Sequence, residues 1–199
     1  GIAYGNGSFL VMTNEKTFLS SDGGSSWQER SPIKNINLGT VAWGSDNGTH
    51  TYSGSFTATR VLTHFNAEDL AFGDGKYLAI GSASINEYVS GSGTIDNGSG
   101  VQSVNYDNQS FYNWGYHLLT SSDSGNTWQY LDNQSFHNPK GIAYGNGDFL
   151  VITGDKTWVS SDGGLSWQEK SSLKNIDIGS GPATAFDKSV LPVPGGPTR

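Results

Sequence analysis

The stretch Ser20-Ser21-Asp22-Gly23-Gly24-Ser25-Ser26-Trp27 sets a pattern that occurs three times in this chain. It returns as Ser121-Ser122-Asp123-Ser124-Gly125-Asn126-Thr127-Trp128 and as Ser160-Ser161-Asp162-Gly163-Gly164-Leu165-Ser166-Trp167. The shared pattern is S-x-D-x-G-x-[ST]-W. Each copy closes an apolar, strand-like run (Thr17-Phe18-Leu19; His117-Leu118-Leu119-Thr120; Thr157-Trp158-Val159) and opens another at its Trp. That context predicts a β-hairpin whose turn is the motif itself. Asp accepts bonds from turn N–H groups, and Gly takes backbone angles that a side chain forbids. Each Trp is expected to be largely buried, anchoring its turn to the body. Metal or glycan binding by Asp22, Asp123 and Asp162 is the weaker reading, because recurrence in every unit calls for a common local geometry rather than a function.

Residues 1–39 and 141–179 align without a gap, with 27 of 39 positions identical. This is an internal duplication. Its opening returns a third time as Leu70-Ala71-Phe72-Gly73-Asp74-Gly75-Lys76-Tyr77-Leu78. Within a unit, Ile2-Ala3-Tyr4 reads as a strand and Asn6-Gly7 as a two-residue hairpin, echoed by Asp74-Gly75 and Asn146-Gly147. Residues 9–13, 17–20 and 26–29 complete four short antiparallel strands, the content of a propeller blade. The motif resembles the Asp-box, or BNR repeat, of sialidases, sortilin-type receptors and related β-propellers. The resemblance implies an all-β propeller of four-stranded blades with Asp-box turns, as a partial ring or a small ring of about four or five blades. Blades are expected over residues 1–190. Residues 40–66 would form a degenerate blade, with Val41-Ala42-Trp43 as its first strand, and 82–115 an insertion in the next blade. Residues 184–190 would open a further blade, and the Pro- and Gly-rich 191–199 would be a linker.

Bulk composition agrees. Of 199 residues only 34% are hydrophobic, while 28 are Gly, 6 Trp, 9 Tyr and 9 Phe, which suits short strands and tight turns. The net charge of −7 and the scattered bases disfavour nucleic acid as a partner. No run reaches the ~18 apolar residues of a membrane span. Cysteine is absent, which excludes disulfides and thiolate chemistry. The four His residues have no metal-ligand spacing, and no metal or cofactor is expected. The chain opens inside a repeat motif and reads as a piece of a longer or processed protein.

The sialidase resemblance implies an arginine triad, a Tyr–Glu nucleophile and an Asp acid/base. This chain has only Arg30, Arg60 and Arg199, and Lys170 replaces Arg30 in the duplicate, where a bidentate clamp would not tolerate Lys. Sialidase activity is therefore not expected. Other glycosidases need paired carboxylates about 5–10 Å apart. Glu68, Asp69, Asp74, Glu87, Asp107 and Asp132 are the candidates, and the sequence does not pair them.

One feature lies outside the repeats. Asp107-Asn108-Gln109-Ser110-Phe111-Tyr112-Asn113 echoes Asp132-Asn133-Gln134-Ser135-Phe136-His137-Asn138. Tyr88, Tyr106, Trp114 and Tyr116 lie nearby. Aromatic faces beside amides and carboxylates suit sugars, whose C–H faces stack while their hydroxyls hydrogen-bond. The expected ligand site comprises Tyr106, Asp107, Asn108, Gln109, Tyr112, Trp114, Asn133, Gln134 and His137, converging on one rim of a blade. The competing reading makes these aromatics anchors of a long loop. The sequence thus points to a non-catalytic, extracellular or cell-surface binding or adhesion module with a glycan or a surface protein as partner. A glycoside hydrolase and a purely structural repeat are the alternatives.

Overall fold

The computed structural model describes residues 1–14, 16–30, 32–43, 51–131 and 134–172. They form three antiparallel sheets, with no helix among the described residues. The first sheet holds β1 (Ile2–Gly5), β2 (Ser8–Met12), β3 (Thr17–Ser20) and β4 (Gln28–Glu29), paired in sequence order. The central sheet holds β5 (Ile36–Trp43), β6 (Thr51–Gly73), β7 (Lys76–Asp96), β8 (Val101–Ser121) and β9 (Gln129–Leu131), also in order. The third holds β10 (Pro139–Gly145), β11 (Asp148–Thr153), β12 (Lys156–Ser160) and β13 (Gln168–Ser172). The two copies of the duplication share one pairing: Ala3 faces Leu10 and Leu10 faces Leu19, as Ala143 faces Leu150 and Leu150 faces Val159.

The hairpin turns are as the sequence predicts. Asn6-Gly7, Asp74-Gly75 and Asn146-Gly147 all take positive φ, the requirement of a type I′ turn. The three motif turns also share one bonding scheme. Asp22 Oδ1 accepts the Ser26 N–H at 2.9 Å and Oδ2 accepts the Ser26 hydroxyl at 2.6 Å. Asp123 does the same with Thr127, and Asp162 with Ser166. The first Ser of the motif has its own task. The Ser20 hydroxyl donates to Asp22 at 2.8 Å while its oxygen accepts the Gly24 N–H at 2.8 Å, and Ser121 and Ser160 repeat this. These bonds stabilise the carboxylate form. Asp22 and Asp162 are lowered to about 2, chiefly by the Ser26 and Ser166 hydroxyls. Desolvation works against Asp123, but its bonds from Thr127, Ser121 and Asn126 outweigh it and its pKa is lowered too.

The central sheet is sandwiched. One face carries Leu70, Tyr77, Ala79 and Leu119 against Leu10 and Met12 of the first sheet. The other carries Ala71, Leu78, Ile80 and Leu118 against Ile142, Phe149 and Val151 of the third. Consecutive residues alternate between the two cores, as the period of a strand requires. Asp69 also ties the central sheet to the third: its carboxylate accepts the Leu70 N–H at 2.8 Å and the Ile142 N–H at 3.0 Å, and burial pushes its pKa up.

Three expectations need correction. Residues 51–66 are not a degenerate unit; they are the first two-thirds of β6, and Val41 and Trp43 pair with Ala58 and Phe56 on its edge. The segment 82–115, expected as an insertion, takes the form of strand and not of the long loop that the competing reading supposed: it continues β7 and β8, joined at a turn in which Gly98 N–H donates to Asp96 and Ser99 N–H to Asn97. The central sheet therefore projects as a ribbon, about 50 Å from Ile80 to Asp96 at ~3.3 Å per residue. The third correction concerns the motif Trp residues. Trp128 is 7% exposed in the core, Trp167 is half-buried, and Trp27 is 44% exposed, because no other sheet among the described residues packs on that side of the first. The expected strands over 184–190 and the tail 191–199 lie outside the described residues.

Candidate functional site

The ribbon has two unlike faces. On one, Trp43, Tyr52, Phe56, Val89, Val104, Tyr106 and Phe111 form an aromatic cluster. Trp43 meets Phe111 at 4.9 Å and Tyr52 at 4.7 Å between ring centroids. Gly54 and Gly93 make the space, since a Cβ on either would meet the Phe56 ring at 3.1 or 2.8 Å. The Trp43 indole N–H donates to Glu87 at 3.0 Å, and Glu87 is ion-paired with Arg60 at 3.3 Å. This face is the ribbon's own core.

The other face holds exposed rings in a polar setting. The register places Tyr88 opposite Ser110, Asn86 opposite Tyr112, Ser84 opposite Trp114 and Ser82 opposite Tyr116, so these eight side chains share one face. Tyr112 is 66% exposed and Trp114 55%. Their surroundings are ordered by short contacts. The Tyr112 hydroxyl lies 2.9 Å from Ser84 Oγ, Asn86 Nδ2 donates to the Tyr88 oxygen at 3.4 Å, and Trp114 meets Tyr116 edge-on at 5.3 Å. On β6, His64 and Asn66 extend the same face opposite Ser84 and Ser82. None of the paired residues is Lys, Arg, Asp or Glu. The surface is a flat platform of rings bordered by amides and hydroxyls.

The residues expected in the ligand site divide. Tyr112 and Trp114 lie together on the platform. Tyr106 is on the opposite face, half-buried in the aromatic cluster, where burial and then Tyr52 push its pKa up. Asp107 and Asn108 form a bulge opposite Ser90, with Asn108 at φ 56° and its N–H donating to Ser90 Oγ at 3.0 Å. Gln109 pairs with Val89 and so belongs to the cluster's face, although it is exposed. Gln134 and His137 lie between β9 and β10, and Asn133 lies outside the described residues. The two echo segments do not converge on one rim: Phe111 enters the ribbon cluster, whereas Phe136 is buried between the central and third sheets against Trp158 and Trp167. Tyr88, Tyr116, Ser84 and Asn86 complete the platform. Their signal in the sequence is alternation: Ser82, Ser84, Asn86 and Tyr88 interleave with buried Ala83, Ile85 and Val89.

Two of the candidate carboxylates and one of the arginines are engaged structurally. Glu87 holds Trp43 and Arg60, and Asp69 holds two backbone N–H groups. Arg30 donates to Asn126 at 3.0 Å, bracing the first sheet on the central motif turn.

No family model and no curated protein matches the chain. Among solved structures it is similar to YCF48 bound to D1 peptide, at 10% identity and TM-score 0.32, over 84% of this chain and 52% of that one. It is also similar to Trypanosoma rangeli sialidase in complex with sialic acid, at 12% identity and TM-score 0.26, over 84% of this chain and 36% of that one. The chain thus spans about half the length of the first and about a third of the second. At these scores the likeness bears no argument, and the site rests on the chain's own register and contacts.

Proposed function

We propose that the three sheets are blades of an Asp-box propeller and that the chain is a non-catalytic binding module, acting outside the cell or on its surface, whose ribbon platform takes glycans. The observation that carries this reading is the pair Tyr112 and Trp114, exposed on one sheet face and bordered by Ser84, Asn86 and Tyr88. Large rings on a soluble protein are ordinarily covered, and a contiguous exposed set marks a contact surface. Trp114 and Tyr112 are too exposed to anchor the ribbon; Phe56 and Val89 on the other face do that. A flat aromatic surface with hydroxyl and amide neighbours and no cation suits a neutral sugar rather than a phosphate.

A glycan array followed by titration of its hits tests the reading. Trp114→Ala and Tyr112→Ala should each weaken binding at least about tenfold, the loss of roughly 1.4 kcal/mol of stacking, with the melting temperature unchanged. Binding that survives both changes, or an array without hits, would reject the platform.

A further inference from the structure

The first and third sheets carry the same residues at corresponding positions and bury them differently. Ile142 is 3% exposed against the central sheet, whereas its counterpart Ile2 is 54% exposed. Tyr144 is half-buried and Tyr4 exposed. The opposite faces show the reverse. Leu10 and Met12 of the first sheet are buried under the central sheet, while Leu150 and Ile152 of the third are half-exposed.

The glycines show how neighbouring sheets lock. A Cβ on Gly5 would strike the Phe72 ring at 2.1 Å, and one on Gly73 the Tyr144 ring at 2.0 Å. Each sheet thus offers a bare glycine to the aromatic of the next. The motif turns repeat the pattern: a Cβ on Gly125 would meet Leu10 at 2.9 Å, and one on Gly164 would meet Leu78 at 2.6 Å. At the two ends the halves of this lock are open. Among the described residues, nothing lies within 4 Å of a Cβ on Gly145, and Gly24 is met only by Trp27 of its own turn at 3.9 Å. The aromatic that would fill the Gly145 seat is Tyr4, and the leucine that would support Gly24 is Leu150. Among the described residues both ends are exposed, so these two ends do not meet each other within one chain.

We infer that the outer face of the third sheet docks onto the outer face of the first sheet of a second copy of this chain. Tyr4 covers Gly145, and Gly24 rests on Leu150, as Tyr144 covers Gly73 and Gly164 rests on Leu78. The occupant is another copy because the duplication makes each open face a near-replica of one that is already filled. Made twice, the contact brings two sets of three sheets together, and six lies within the range of roughly four to eight over which propellers close. The expected product is a closed dimer.

Light scattering on the purified chain at micromolar concentration reads this directly, with twice the chain mass expected. Gly145→Val fills an empty seat and Tyr4→Ala removes its occupant. Neither residue is covered within its own chain, so the far-UV spectrum should be unchanged while the dimer weakens at least about tenfold. A mixture of the two variants keeps one intact interface, Tyr4 of the first variant on Gly145 of the second, and should give a mixed pair on cross-linking. A wild-type chain that remains monomeric, a dimer that survives both substitutions, or variants that fail to cross-link when mixed would each overturn the proposal.

Discussion

At the scale of the residue, the motif turn behaves as one small hydrogen-bonded unit. Its acid has a folded pKa below its unfolded value, so the folded state binds fewer protons. Its stabilising effect is complete above about pH 4, near the ordinary Asp value, and is lost as the pH falls toward the folded value of about 2 for Asp22 and Asp162. Carboxyl chemical shifts followed through an acid titration should place both near 2; ordinary values would mean that the turn bonds do not form in solution. The three Trp residues make a second test. Trp128→Ala should cost about 3–5 kcal/mol, the loss of a core aromatic. Trp27→Ala should cost under ~1 kcal/mol in the monomer, as a surface change does, and denaturant melts of the two variants compare them. The sequence shows the Asp, Gly and Trp roles plainly, because they are local. It does not show that Trp27 is exposed, since the three octapeptides share one pattern and their exposure depends on what stands beside their sheets.

At the scale of the element, the ribbon is the part least legible in the sequence. Its Gly, Ser and Asn resemble loop punctuation. In a strand, however, the small residues alternate with buried ones, and Gly54 and Gly93 lie beneath the Phe56 ring rather than in turns. The bulge at Asp107 and Asn108 then shifts the alternation, which separates Tyr106 from Tyr112 although both belong to one aromatic-rich run. That shift is why the expected ligand site splits between two faces. Gly91 tests the ribbon. It has φ 137°, and a Cβ there would stand 2.1 Å from the Ser55 carbonyl oxygen. Gly91→Val should therefore break the β6–β7 pairing locally, at a cost of about 1–3 kcal/mol. Hydrogen exchange should quicken at residues 52–58 and 89–95 and stay slow at 77–80; uniform quickening would mean that the ribbon and the sheet cores unfold as one.

At the scale of the whole molecule, each sheet meets the next through the same glycine and aromatic. Gly73→Val should destabilise by at least about 1–3 kcal/mol, because it overpacks the seat of Tyr144. Gly145→Val should leave the monomer's melting within ~0.5 kcal/mol of wild type. Equal effects would show that the two positions are not related by the stacking seen here. The duplication and the third copy of its opening and motif made three related sheets legible from the sequence. The order in which they bury one another was not, because it depends on contacts between units rather than on any unit's own pattern.

The sandwiched position of the central sheet also bears on how the chain acquires its structure. The first and third sheets each bring about thirty residues and bury only one of their faces, below the size at which a domain folds unaided. Each of the three cores among the described residues includes β6 and β7, whose pairing runs outward from the two-residue turn Asp74-Gly75. That hairpin is the template on which the flanking repeats condense, so a repeat released by proteolysis would be a disordered peptide, not a small independent domain.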